Sequence, residues 1–319
     1  RVIDRPIRPL FPKDLRNDIS LLLTIMSVDP DCSPEITAMI GASIALSISD
    51  IPWNGPIGGV FMGLVDGKFI VNPTAEERAE STLELTVAAS EKKVVMIEAG
   101  AKEVSDDDMY QAIMIAHAEI KKLVAFINGI VAEIGKPKFS YASGELDHDM
   151  FDEIFGYCEA AVMEALDTDD KNVRDAKMQP IMDDIVAKFE EKYPDIKVVL
   201  PELIYKIQKK IVRRWLLVDK KRVDGRRMDE IRPLAAEVGI LPRVHGSGLF
   251  TRGQTQVLSI ATLGPLSDAQ KLEGLDDEDS KRYMHQYNMP GYSTGEAKAL
   301  RSPGRREIGH GALAERSLV

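Results

Sequence analysis

The strongest constraint on how this chain can fold is a change of periodicity in its middle. From 140 to 218 no stretch carries strand patterning, and helical spacing runs over 147–166, 170–192 and 201–218. On either side, short β-compatible runs and glycine-rich turns take over. One bundle or one sandwich cannot accommodate both patterns, so the sequence predicts an α+β chain with modules at 1–139, 140–218 and 219–319. Pro180 inside the second helical run, and Pro194 after Tyr193, predict a kink or break there. The charge cluster Asp219-Lys220-Lys221-Arg222 and the turn signal Asp224-Gly225 mark the last boundary.

The first module opens on RVIDRPIRPLFP, in which Arg1, Arg5 and Arg8 alternate with prolines and apolar residues; it reads as an ordered loop or short helix with its cations on one side. Residues 21–28 are apolar and β-compatible. Ser33-Pro34-Glu35 supplies an N-cap, a first-turn proline and an acid suited to the helix dipole, so a helix is expected over 35–49. Short strands follow at 60–62, 69–71, 83–87 and 94–97, with Asp66-Gly67 as a hairpin turn. Ser105 and Asp108 start a long amphipathic helix whose stripe is Met109, Ile113, Ala116, Ile120, Leu123, Ile127, Ile130 and Ile134, stopped by Gly135 and Pro137. In the third module strands are expected at 234–240 and 255–263 around Gly246, Gly248 and Gly253. From 287 the reading is a glycine- and proline-rich loop region that ends in 307–318.

Chemistry is narrowed mainly by exclusion. No dinucleotide GxGxxG follows a strand, and there is no GxxxxGK[ST] loop, HExxH or assembled Ser-His-Asp set. Cys32 and Cys158 have no partner at metal-ligand spacing, which leaves a zinc site or disulfide framework without support. Asp106-Asp107-Asp108 reads as a helix start rather than a metal cluster, and Asp276 to Asp279 as a solvated acidic loop; no metal ligand is assigned. No apolar run is long enough to cross a bilayer and no export signal opens the chain, so a cytoplasmic protein is expected. A net charge of −10 argues against indiscriminate coating of nucleic acid but leaves a local basic channel open. What remains is SPGRREIGHG at 302–311. There the guanidiniums of Arg305 and Arg306 could fork onto phosphate oxygens beside glycines that permit close approach, or could form a solvated, salt-bridged patch.

Several segments together resemble the polynucleotide phosphorylase family. They are RVIDRPIRPLFP, PEITAMIGASIALSISDIPWNGPIGGVFMG, Asn72-Pro73-Thr74, Val104-Ser105, VDGRRMDEIRPL, LPRVHGSGLFTRGQTQVLSIATLG and HQYNMPGYSTGEAKALRSPGRREIGHGALAER. The resemblance covers essentially the whole chain. It implies ribonuclease-PH-like (ribosomal protein S5 domain 2-like) cores joined by an all-α domain, with the first and second cores each represented in part. It implies phosphate-dependent 3′-to-5′ degradation of single-stranded RNA to nucleoside diphosphates, reversible as polymerisation, with orthophosphate as co-substrate. It further implies Mg²⁺ or Mn²⁺, a role in mRNA degradation, a ring-shaped homotrimer and RNA-degradosome partners.

Carried over by position, the resemblance makes Arg305 and Arg306 the paired arginines that hold RNA phosphates and orthophosphate. It sets His310 beside the RNA path, and Arg1, Arg5 and Arg8 along the channel that admits the strand. Arg252 in the FTRG turn is a weaker candidate for the same surface. Each has a plainer reading: Arg1, Arg5 and Arg8 could fix a loop through carboxylates such as Asp4, Arg252 could be structural, and His310, like His245, could cap a turn. The family's serine-rich phosphate loop and metal-binding aspartates are expected beyond 319, its phenylalanine-arginine loop ahead of residue 1, and its KH and S1 domains outside the segment. The 319 residues alone are therefore expected to be inactive. The alternative to an enzyme segment is a non-catalytic scaffold for RNA guidance and oligomerisation.

Overall fold

The structure is a computed structural model that describes residues 1–141, 143–275 and 279–318. It gathers into two units, one of residues 1–143 with 264–319 and one of residues 144–263.

The first unit begins with a short helix α1, Asp4–Ile7. Residues 21–28 do not form the expected strand; they are irregular and exposed, because apolar residues without a neighbouring strand have nothing to take their backbone hydrogen bonds. Helix α2, Pro34–Ile48, starts where the cap signal puts it, with the Ser33 hydroxyl accepting from the Ile36 amide. Strands β1, Gly58–Val65, and β2, Lys68–Val71, form a hairpin whose Asp66 and Gly67 both have positive φ, which is what a tight two-residue turn requires. A one-and-a-half-turn helix α3, Ala75–Glu80, capped by Thr74 and Glu77, had no counterpart in the sequence reading. Strands β3, Leu83–Ala89, and β4, Val94–Ala101, complete an antiparallel sheet of order β2-β1-β3-β4.

Helix α4, Asp106–Ile134, lies on this sheet. Ser105 accepts from the Asp108 amide, so the acidic triplet serves as a helix start. Its buried line is Ala112, Ala116, Ile120, Val124 and Ile127; Met109, Ile113 and Leu123 flank it, and Ile134 is exposed. Small alanines at the first two positions let the helix approach the sheet closely.

The second unit holds α5, His148–Leu166, α6, Lys171–Phe189, and α7, Ile196–Arg214, around a core that includes Ile154, Val162, Ile185, Leu203 and Ile207. Of the kink or break expected at Pro180, the break does not occur. Pro180 lies on the exposed side of a continuous α6, where solvent can satisfy the carbonyl that its missing N–H leaves, while Met178, Ile185 and Phe189 keep the helix on the core. Helix α7 starts five residues ahead of the expected position, because Ile196 and Leu200 already belong to the buried stripe. A π-helical turn, Trp215–Asp219, ends it. Strands β5, Leu234–Val238, β6, Gly246–Arg252, and β7, Thr255–Ala261, form an antiparallel meander.

The last part of the first unit has a two-residue ladder, β8, Gln270–Lys271, with β9, Ser280–Lys281, and then helix α8, Arg305–Arg316. The expected loop region is thus helical over most of its end.

Candidate functional site

The arginine-bearing opening is held in place by burial rather than by its charges. Ile7 is buried, its carbonyl accepts from the Trp53 indole N–H at 3.0 Å, and the Leu10 carbonyl accepts from the Asn54 amide at 2.9 Å. So fixed, Arg1 and Arg5 reach Glu98 on β4: Arg1 Nε is 3.2 Å and an Arg5 guanidinium nitrogen 3.8 Å from the same carboxylate oxygen. A guanidinium nitrogen of Arg316, at the end of α8, lies 3.6 Å from the other oxygen. Glu98 keeps 13% of its side-chain exposure. Three guanidiniums around one carboxylate leave a surplus of positive charge on that face. Arg8 differs, because its guanidinium turns back onto Asp4 in a bidentate pair at 2.7 and 2.8 Å, so its charge is matched locally.

Helix α8 meets this cluster at Gly309 and at Arg316. Arg1 donates to the Gly309 carbonyl at 3.3 Å, and a Cβ on Gly309 would stand 3.3 Å from Arg1 Cδ. Arg305 and Arg306 are the first two residues of the helix, are exposed, and have no carboxylate partner among the described residues. Cations at the positive end of a helix dipole cost about 0.3–1 kcal/mol each. An anion there would be favoured by both side chains and by the free first-turn amides. His310 is also exposed, with its ring 5.3 Å from that of Tyr287.

Two carboxylates hold α8 to the segment before it. Glu307 accepts from the Gly304 amide at 2.6 Å and the Met289 amide at 3.2 Å, and these bonds, Gly304's first, hold its pKa below the usual glutamate range. Glu315 accepts from Lys281 Nζ at 2.9 Å and the His285 amide at 2.9 Å, which lower its pKa likewise, Lys281 contributing most. Gly311, between them in sequence, is buried, and a Cβ there would come within 3.2 Å of the His285 carbonyl. For a depressed carboxylate the stability is present above the unfolded value and is lost as pH falls through the folded one. Hydrogen exchange read by mass spectrometry should therefore show the later amides of α8, 309–316, protected at pH 7 and losing protection below about pH 4. Protection that is already lost near pH 6, or unchanged at pH 3, would contradict this docking.

Sequence reading missed Glu98 and Arg316. Glu98 pairs across a long sequence separation that no spacing rule reaches. Arg316 carried a usable signal: it lies eleven positions after Arg305, about three turns at 3.6 residues per turn and hence on the same face, once 305–316 is taken as a helix.

The other candidates stand apart from this cluster or have structural partners. Arg252 ends β6 in the second unit and is exposed. His245 Nδ1 accepts from the Leu263 amide at 2.8 Å, a structural bond to a distant residue rather than the capping of a local turn. Cys158 is buried, which pushes its thiol up to about 11, and Cys32 is exposed. Among the described residues no group of three or more His, Cys, Asp or Glu is arranged to hold a metal ion. Asp276 and Asp277 of the acidic loop lie outside the described residues. No described helix is long and apolar enough to cross a membrane.

Residues 55–119 match the 3′ exoribonuclease family, domain 2, and residues 230–319 the 3′ exoribonuclease family, domain 1. Between them, 149–227 match the polyribonucleotide nucleotidyltransferase RNA binding domain. The whole chain is 58% identical to a polyribonucleotide nucleotidyltransferase of Ruminiclostridium cellulolyticum, covering 45% of it. Proteins of the same name from Lachnoclostridium phytofermentans and Caldicellulosiruptor saccharolyticus are 56% and 52% identical over 100% of the chain, which covers 46% and 45% of their length. The chain thus spans somewhat less than half of these relatives.

Proposed function

Because the chain belongs to the polyribonucleotide nucleotidyltransferase family and spans under half its relatives' length, we propose that it is an internal part of a phosphate-dependent 3′-to-5′ exoribonuclease. Residues 1–139 and 219–319 are then pieces of two ribonuclease-PH-like cores, and 140–218 the helical domain between them. Matches in the order domain 2, then domain 1, are what two tandem cores read across their junction would give.

In this reading orthophosphate attacks the phosphorus of the 3′-terminal phosphodiester, the bond to the 3′ oxygen of the preceding nucleotide breaks, and a nucleoside diphosphate leaves. Arg305 and Arg306 hold the anions, and Arg1 and Arg5 guide the strand on the same positive face. His310 flanks the path. Arg8, already neutralised by Asp4, and Arg252 contribute less. The observation that carries the reading is the surplus charge around Glu98, where arginines from both ends of the chain gather on one unit. Cations placed without base-reading groups suit a single strand bound regardless of sequence.

A divalent ion would offset charge developing on the phosphoryl oxygens. The described residues do not fit one, so its ligands are proposed to lie outside them and no step is assigned through it. Cytoplasmic location, a role in mRNA degradation, a homotrimer and degradosome partners belong to the same proposal.

The test is to incubate the full-length protein with radiolabelled single-stranded RNA, Mg²⁺ and orthophosphate. Nucleoside diphosphates that form only when phosphate is present are expected; nucleoside monophosphates, or release independent of phosphate, would reject phosphorolysis.

A further inference from the structure

The chain contains two Asn-Gly pairs, Asn54-Gly55 and Asn128-Gly129. Both asparagines are exposed, and neither carboxamide is hydrogen-bonded among the described residues. They differ in what the following glycine amide does. Gly129 lies inside α4, where its N–H is committed to the helical ladder four residues back. Gly55 lies in the link before β1, and its N–H has no acceptor among the described residues.

The link is otherwise held on both sides. Ahead of Gly55, the Trp53 indole donates to the Ile7 carbonyl and the Asn54 amide to the Leu10 carbonyl. Beyond it, the Ile57 amide donates to the buried Ser43 hydroxyl at 3.0 Å. Trp53 is buried, and a Cβ at 55 would run into its ring, so the packing requires glycine there. The same requirement leaves an unhindered, unbonded amide next to the carboxamide of Asn54.

We propose that Asn54 is a site of spontaneous deamidation, with water as the only co-reactant, and that the modification loosens the arginine-bearing opening. The Gly55 nitrogen attacks Cγ of Asn54 and gives up its proton to water, the new C–N bond closes a cyclic imide, and the carboxamide nitrogen leaves as ammonia. Water then breaks one of the two C–N bonds that the imide nitrogen makes. Cleavage at Cγ restores the backbone with aspartate at 54; cleavage at the backbone carbonyl leaves isoaspartate, whose chain runs through Cβ and Cγ and is one atom longer. Either product adds a negative charge, but only isoaspartate lengthens the link. The contacts that fix the opening lie ahead of the inserted atom, and the sheet that carries Glu98 lies beyond it. The two sides then no longer match, and Arg1 and Arg5 lose their placement on Glu98. The proposal requires nothing of phosphorolysis at Arg305 and Arg306.

The test holds the full-length protein for weeks at mildly alkaline pH, maps its peptides by mass, and counts isoaspartate with a protein isoaspartate methyltransferase and a radiolabelled methyl donor. The peptide that contains Asn54 should become one dalton heavier at least about tenfold faster than the peptide that contains Asn128, because α4 must first open locally to free its amide. In a sample unfolded by urea, where both pairs have the same freedom, the two should convert at similar rates. Asn54→Gln should remove most of the methyl acceptance. Hydrogen exchange over 5–11 should rise several-fold in the aged protein, but not in aged Asn54→Gln or in fresh Asn54→Asp, which adds the charge without the extra atom. Conversion at Asn54 no faster than at Asn128 overturns the site, and unchanged exchange over 5–11 in methyl-accepting protein overturns its effect on the opening. Because phosphorolysis is absent from the assay, its failure leaves the exoribonuclease reading to its own test.

Discussion

Replacing Arg305 and Arg306 together by alanine in the full-length protein is expected to cut phosphorolytic kcat/KM by at least about a hundredfold while leaving the fold intact. Hydrogen bonds to charged groups contribute about 1.5–3 kcal/mol each, so the loss of one strong contact from each side chain removes about 3 kcal/mol or more of transition-state binding. Stability should not follow activity, because both residues are exposed, lack carboxylate partners among the described residues and stand where the helix dipole disfavours cations. The melting temperature should stay level or rise slightly. Lysine at both positions should recover only part of the activity, since an ammonium supplies charge without the planar fork. The measurement is initial rate against phosphate and RNA concentration, paired with a thermal melt. Activity within tenfold of the parent, with an unchanged melt, would mean that these guanidiniums do not hold the reacting phosphates.

The parts of this fold that could be read from sequence are those with a local cause. Ser33, Ser105, Asp147 and Asp170 each accept from amides in the first turn of the helix they precede, and Asp66-Gly67 adopts the backbone that its composition demands. Helix α3 was also locally signalled, by the Thr74–Glu77 capping box, and was overlooked, whereas other misreadings have a different cause, contact with distant residues. Gly304, Gly309 and Gly311 suggested a loop, yet Gly309 lies under Arg1 and Gly311 against the backbone at His285, so two of the three mark close approaches of a helix rather than a flexible stretch. The candidate site divides in the same way. Arg1 and Arg5 were visible as types and spacings, but Arg316 was missed and the carboxylate that collects all three comes from β4 and could not be inferred from any local pattern. Arg8 shows the converse, since a partner four residues away was available to sequence reading and is the one it uses.

The largest stability effect is expected where α4 crosses β1. Ile120 is fully buried, and the residue facing it on the strand is Gly58, where a Cβ would stand 3.1 Å from Ile120 Cγ2 and 3.2 Å from Leu123 Cβ. Ile120→Ala removes a buried side chain opposite a residue that has none to move into the space. The cavity should persist, and the cost should fall in the upper half of the usual range of about 2–5 kcal/mol. Ile120→Val should cost only about 0.5–1.5 kcal/mol. Gly58→Ala alone should also destabilise, by about 1–3 kcal/mol, because it overpacks the same contact. Combined with Ile120→Ala, however, the new methyl enters space that Cγ2 has vacated, so the double variant should lose less than the sum of the single losses by about 1 kcal/mol or more. Urea unfolding can isolate this unit by the fluorescence of buried Trp53 in a Trp215→Phe background, since these are the chain's two tryptophans and Trp215 belongs to the helical core. Strict additivity would show that the helix and strand do not pack tightly at this point. Because α4 packs on the sheet whose β4 strand carries Glu98, the arginine cluster would then rest on a looser support than the geometry describes.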